Sequence, residues 1–268
     1  MTPRRSRTLA ALLPLLACLS CGSAFAQGFS ALVSPPRFED SAKAGETYRN
    51  VIEITNVSGS AAHFTVQTAD WTFTPEAAVE FSDALAPGSC RPWVGIEAGD
   101  ITLAPNAKRR YRFEVRVPVD APAGECRFAI MIEGDPQTVR GAAAVPVSGR
   151  IGVIVYLAIG DAAPNLEVVG REVRTVDGND VPVLSVRNNG NAHGRLQGFV
   201  DGTDASGRTY ALQPATLPVL PGETRDIALV PQADNDKAAA PVIAWPLRLE
   251  GRLDSGRQRL DIATTIER

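Results

Sequence analysis

The sequence predicts an all-β protein: two β-sandwich domains behind a cleaved signal peptide. Three observations predict it. Apolar and polar residues alternate along most of the chain rather than recurring every three or four positions. Turn signals fall every eight to twelve residues. Gly (23) and Pro (20) are dense for a chain of 268 residues, which suits frequent turns and not long helices. With 44% hydrophobic and 21% charged residues, the composition is that of a core-forming globular chain.

The N-terminus comes first. Arg4, Arg5 and Arg7 precede an apolar run over residues 9–19, and Ala24-Phe25-Ala26 is a small-x-small cleavage site. This is the pattern of a secretory signal, too short to span a membrane comfortably. The expectation is cleavage after Ala26 and a periplasmic mature chain. A rival reading lipidates Cys18 or Cys21. No later segment approaches the length of an apolar span, so stable membrane insertion is not expected.

Removing the signal takes three arginines and no acid, moving the net charge from −3 to −6. That balance disfavours nucleic acid as a partner. It also leaves two cysteines, Cys90 and Cys126. In an exported chain such a pair is expected to form one disulfide, against the alternative of two buried thiols.

Strands are expected over residues 48–54, 63–68, 108–118, 127–133 and 145–159 in the first half. In the second half they are expected over 166–173, 181–187, 195–201, 224–231, 245–251 and 258–264. The run at 108–118 is the clearest. Tyr111, Phe113, Val115 and Val117 point one way; Arg110, Arg112, Glu114 and Arg116 point the other. A break at residues 160–164 divides the mature chain into 27–160 and 161–268, each the size of one immunoglobulin-like sandwich. The halves share a plan: one strand ends at Thr55-Asn56-Val57-Ser58-Gly59, another at Asn188-Asn189-Gly190-Asn191.

Chemistry is sparse. There is no nucleophile elbow, no zinc-protease or phosphate-loop motif, and no calcium loop. His63 reads as a strand-face residue and His193 as a turn or strand-start residue. Acid pairs such as Glu39-Asp40 are no more than chance gives. The basic run Lys108-Arg109-Arg110-x-Arg112 reads as a solvated strand start or a local anion patch. No catalytic residue, cofactor or metal ligand is assigned, and the chain is read as a non-enzyme.

What remains is an interaction surface. Residues 142–159 read as one long strand that starts at an exposed edge and ends buried between the domains. Pro146 fits an edge, where its missing N–H does no harm. An exposed apolar edge is an aggregation liability unless another chain is meant to pair with it.

Three stretches carry a family resemblance: Val33-Ser34-Pro35-Pro36-Arg37-Phe38, residues 50–56 (NVIEITN), and residues 149–156 (GRIGVIVY). In layout and in these segments the chain resembles the periplasmic chaperones of pilus assembly. The resemblance implies donor-strand complementation: the last strand of the first domain is lent to a subunit whose own sandwich lacks one. It implies Ala143, Val145, Val147, Ile151 and Val153 as donor-strand residues, and Arg37 as the anchor of the subunit's C-terminal carboxylate. The family has a lysine where this chain has Gly152; Arg150, on the same face about 7 Å away, is the substitute. The implied partners are pilus or other secreted β-sandwich subunits and an outer-membrane usher. A second resemblance, at residues 186–193 (VRNNGNAH), is to sandwich domains of cell-surface proteins, and implies the alternative of a non-catalytic envelope binding or adhesion module.

Overall fold

The computed structural model describes residues 30–74, 77–139, 145–176, 178–232 and 241–268. The signal segment, Cys18, Cys21 and Ala143 lie outside the described residues. The first half contains β1 (Ala31–Ser34), β2 (Arg37–Ala42), β3 (Thr47–Asn56), β4 (Ala62–Phe73), β5 (Val79–Ser82), β6 (Val94–Ile96), β7 (Asp100–Leu103), β8 (Lys108–Arg116), β9 (Gly124–Gly134), β10 (Gln137–Val139), β11 (Val145–Val147) and β12 (Arg150–Ile159). A 3-10 turn, Arg91–Trp93, precedes β6. The second half contains β13 (Leu166–Val176), β14 (Asn179–Asn188), β15 (Gln197–Asp204), β16 (Thr209–Pro214), β17 (Thr224–Pro231), β18 (Leu247–Ser255) and β19 (Gln258–Ile266). Among the described residues no helix is long and apolar enough to cross a membrane.

In the N-terminal sandwich one sheet runs β1-β3-β8-β6. The facing sheet runs β2-β12-β9-β4-β5, with β7 also on β4. The first strand of the sandwich switches sheets: β1 pairs β3 antiparallel, and β2 pairs β12 in parallel. The chain crosses between them at the cis bond Ser34-Pro35. This order, with its shared first strand, is that of an immunoglobulin-like sandwich. The alternation on β8 does what a period of two requires. Tyr111, Phe113 and Val115 are buried and face Phe128, Ile130 and Ile132 of the opposite sheet, while Arg110, Arg112 and Arg116 are exposed.

The C-terminal sheet path β13-β14-β17-β16-β15-β18-β19 folds over on itself. Its two ends meet: the Leu166 N–H donates to Gln258 Oε1 at 2.7 Å, and Gln258 Nε2 donates to the Leu166 carbonyl at 2.6 Å. The enclosed core centres on Leu184, Val200, Leu212, Ile227, Leu249 and Leu253, each fully buried.

The shared plan of the two halves has a common atomic device. Asn56 ends β3 and Asn188 ends β14, and both are fully buried. Each side-chain oxygen accepts the N–H two residues on, Ser58 or Gly190, at 2.9 Å. Each side-chain nitrogen donates to the carbonyl four residues on, Ser60 at 2.7 Å or Ala192 at 2.8 Å. Each also reaches a carbonyl far along the chain, Leu103 at 3.2 Å or Val219 at 2.9 Å. Asn188→Ala strands those buried partners, so it is expected to cost about 2–3 kcal/mol. Thermal unfolding of the variant checks this, and Asn188→Asp, which turns a carboxylate oxygen onto the carbonyls of Ala192 and Val219, should lose at least as much.

The long strand expected over 142–159 is interrupted. β11 and β12 are separate, divided at Ser148-Gly149. β12 belongs to the sandwich and pairs β9 along its whole length. Among the described residues β11 pairs only with β10, forming a two-stranded ribbon that continues β9 and β12. The short strands β5, β6, β7, β10 and β16 have no counterpart among the strands expected from the sequence.

Candidate functional site

The outer face of the β2-β12-β9-β4 sheet meets the C-terminal sandwich. Register builds one transverse row of this face: Glu39 lies opposite Tyr156, and Tyr156 opposite Arg127. Trp71 packs edge-on against Tyr156 at 5.4 Å, and the Arg127 guanidinium sits 5.2 Å from the Trp71 ring. Leu220 of the C-terminal sandwich is buried among Ala69, Trp71, Ala129, Met131 and Tyr156.

Beside this apolar contact is a buried ionic one. His193, brought in by the turn after β14, stacks on Tyr156 with ring centroids 3.9 Å apart. Its Nδ1 contacts Glu125 Oε2, which also accepts the His193 backbone N–H at 3.0 Å. Its Nε2 lies 3.8 Å from Glu39. Burial works against charging the ring, but the two carboxylates outweigh it and the His193 pKa is raised above 6.5. Arg195 Nη2 contacts Glu39 at 3.2 Å, and Arg37 Nε contacts it at 2.6 Å. The His193 ring, with Arg195 and Arg37 adding, lowers the Glu39 pKa to about 2 against the cost of burial.

Further along the same face a strap crosses the sheet. β4 pairs β9 as far as Ala69, then leaves it and pairs β5 from Asp70 onward. This carries Phe81 over Gly152: a Cβ at Gly152 would overlap the Phe81 ring and lie 3.1 Å from Met131 Sδ. Arg91 pins the strap, donating to the carbonyls of Thr68 at 2.6 Å, Asp83 at 3.1 Å and Ala84 at 3.3 Å. Arg91 sits next to the Cys90–Cys126 disulfide, whose Cα atoms are 5.5 Å apart. Asp83 in turn contacts Arg150 Nη2 at 2.5 Å.

The edge of β12 is half covered. β2 pairs it only from Ile154 to Ile159, starting at Arg37. The Ile154 N–H donates to the Pro36 carbonyl, and the Gly149 carbonyl faces the other way, accepting from Gly134 of β9. By strict alternation the backbone groups of Arg150 and Gly152 point away from β9. Among the described residues no strand of the chain lies beside them, or beside β11 on the side away from β10.

No family model matches the chain, and no curated protein matches it. Solved structures similar to it include the class 5 fimbriae chaperone CfaA, at 11% identity over 82% of this chain and 98% of that chain, with a TM-score of 0.45. Another is the YadV chaperone, at 9% identity over 87% of this chain and 100% of that chain, with a TM-score of 0.47. A third is the CsuC–CsuE chaperone–tip adhesion subunit complex of Acinetobacter baumannii Csu pili, at 15% identity over 88% and 98%, with a TM-score of 0.44.

The site residues read from the sequence distribute unevenly. Arg37 and Arg150 share the cleft face, but they stand apart: Arg37 is level with Ile154, four positions and about 13 Å from Arg150. Both already contact carboxylates of this chain, Arg37 with Glu39 and Arg150 with Asp83 and, at 3.7 Å, Glu133. Val147 is exposed and Ile151 half-buried. Val153 is fully buried in the chain's own core, which removes its side chain from what another chain could use. Val145 lies in β11. His193 does more than shape a turn: it joins the two sandwiches. His63 lies on β4 between Asp135, 2.9 Å from Nδ1, and Asp100, 3.3 Å from Nε2. Glu39, Glu125, Tyr156, Phe81, Asp83 and Arg195 shape the cleft without any local pattern that marks them.

Proposed function

We propose that this is a periplasmic, chaperone-like binding protein that offers the β11–β12 edge to a pilus or other secreted subunit with an incomplete β-sandwich. The observation that carries the reading is the backbone of Arg150 and Gly152, beside which no strand lies among the described residues, continued by β11 beyond it. An unpaired edge next to exposed Val147 is the arrangement strand addition uses: main-chain hydrogen bonds give affinity and alternate side chains give specificity. On this reading the donor residues are Val145, Val147 and Ile151, with Ala143 before them. Arg37 and Arg150 receive the subunit's terminal carboxylate by exchanging it for Glu39 and Asp83. No catalytic step is involved.

Co-expression with a candidate subunit tests the proposal. A one-to-one complex is expected. Val147→Asp places a charge on the lent edge and should reduce complex yield at least ~10-fold while leaving the unfolding temperature of the free protein unchanged. Val230→Asp, at a similarly exposed position on the C-terminal sandwich, should leave complex yield at the parent level. Equal yields from both variants would remove the β11–β12 edge from the interaction.

A further inference from the structure

We infer that the outer face of the β3-β8-β6 sheet, on the opposite side of the N-terminal sandwich, is a docking site for an acidic polypeptide segment that carries one apolar side chain. This does not depend on the reading of the β12 edge. A depression of ≈ 420 Å³ opens on this face, lined by Arg49, Val51, Gly95, Glu97, Arg112 and Arg116 among others. The register explains it. Gly95 lies opposite Glu114, and Val51 opposite Arg112, so two short residues lie beneath a canopy of long ones. The floor is Val51 and the bare backbone of Gly95. The walls are the methylene stems of arginines, which are apolar along their length and charged at the tip.

The charge has one sign in excess. The outward positions of β3 and β8 hold five cations, Arg49, Lys108, Arg110, Arg112 and Arg116, against Glu53, Glu97 and Glu114 around them, in a chain whose net charge is −3. The pairing leaves guanidinium capacity over. Arg49 meets Glu114 at 3.0 Å and Arg112 meets Glu97 at 3.1 Å, each through Nε. The two side chains are 69% and 75% exposed, so their guanidinium tips stand at the surface. Arg110, the next outward position on β8, is exposed and makes no ion pair among the described residues. Forked donors of this kind select carboxylates.

A third observation points to a polypeptide. β6 is the last strand of its sheet. The Glu97 N–H donates to the Arg112 carbonyl at 3.1 Å, so the odd positions of β6 face β8. By alternation the Val94 carbonyl and both backbone groups of Ile96 face outward, the Val94 N–H being held by the Arg91 carbonyl, and no strand lies beside them among the described residues. An extended segment laid along β6 would pair with these groups and set every second side chain over the depression. An apolar side chain would then fill the space above Gly95, with acidic neighbours two positions away on either side reaching Arg112 and Arg116.

The probe is the peptide acetyl-Ser-Asp-Thr-Leu-Thr-Asp-Ser-amide, titrated into the ¹⁵N-labelled full chain. Chemical-shift changes are expected at Val94, Gly95, Ile96 and Arg112. The same peptide with Lys for both Asp should bind at least ~10-fold more weakly, as should the Asp peptide to Arg112→Glu. Gly95→Phe fills the depression, and a Cβ there meets nothing closer than Glu114 Cγ at 3.4 Å; it should abolish the shifts. Equal binding of the two peptides, or shifts that persist in Gly95→Phe, would overturn the inference. So would Arg112-dependent binding of phosphatidylglycerol vesicles without any peptide-induced shift, since that describes a lipid patch.

Discussion

Replacing Cys90 and Cys126 together by alanine is expected to lower the unfolding free energy of the N-terminal sandwich by roughly 3–4 kcal/mol. The bridge joins residues 36 apart in sequence, and cutting it restores that loop's freedom to the unfolded chain. Both cysteines are buried, so the alanine pair also leaves a small void beside Phe128 and the core. Cys90 is the residue from which the 3-10 turn starts, and Arg91 follows it. Loss of the bridge therefore loosens the group that holds the strap to Thr68 and Ala84. Urea unfolding of the variant should show a lower midpoint with an unchanged slope. Amide exchange at Met131, beneath Phe81, should quicken. A loss under about 1 kcal/mol would mean that native contacts hold the strap as well without the bridge as with it.

What the sequence made legible is what depends on neighbours along the chain. The alternation from Arg110 to Arg116 places each side chain relative to the core because a strand's period is two, whatever it packs against. The Asn56 and Asn188 turns are legible for the same reason, since the Asn side chain caps backbone only two and four residues on. Gly190 is fixed by its surroundings: the Asn189 N–H donates to the Asn165 carbonyl at 2.8 Å, and that close approach of backbones leaves no room for a side chain at Gly190. β6 and β7 were not legible because strands of three and four residues carry too few alternations to register. The break between β11 and β12 was hidden by apolar residues on both sides of it.

The cleft was the least legible part. Glu125 and His193 are 68 residues apart, and Glu39 and Arg195 are 156 apart. Pairing at such separations is decided by how two sandwiches dock, which leaves no period or spacing behind. The departure at Gly152 shows the same limit from the other side. The family resemblance leads one to expect a lysine there; the fold shows Phe81 occupying the space any side chain there would need. The glycine is required by a residue 71 positions away, which no local pattern shows.

His193→Ala is expected to uncouple the two sandwiches. Glu125 has a side chain only 3% exposed, and His193 is the group that touches its Oε2. Removing the ring leaves a buried carboxylate with the backbone N–H of residue 193, 3.0 Å from Oε2, and Arg127, 3.6 Å from Oε1, but without the imidazole cation, and also strips the stacking partner from Tyr156. Breaking a buried pair in this way costs about 3–5 kcal/mol, mostly as the uncompensated charge. The cost falls on the contact between sandwiches rather than on either core. Calorimetry should therefore resolve two unfolding transitions where the parent has one, and small-angle scattering should report a larger radius of gyration.

The pH dependence follows from the signs. His193 has its pKa raised in the folded protein. Its contribution is complete below its ordinary value near 6.5 and fades as pH rises through the raised value. Glu39 is lowered from 4.5 to about 2, so its contribution is complete above 4.5 and fades as pH falls towards 2. Glu125 on β9, Glu39 on β2, Tyr156 on β12 and the neighbouring Arg37 and Arg195 are the titratable and charged groups around the ring. Together they set the tightest docking between pH 4.5 and 6.5. His193→Gln keeps a donor towards Glu125 but cannot charge, so it should flatten the decline above pH 6.5 and also shrink the acid limb, because the His193 ring is the largest cause of the lowered Glu39 pKa. If the parent and His193→Gln lose coupling identically as pH rises, some group other than this imidazole holds the sandwiches together.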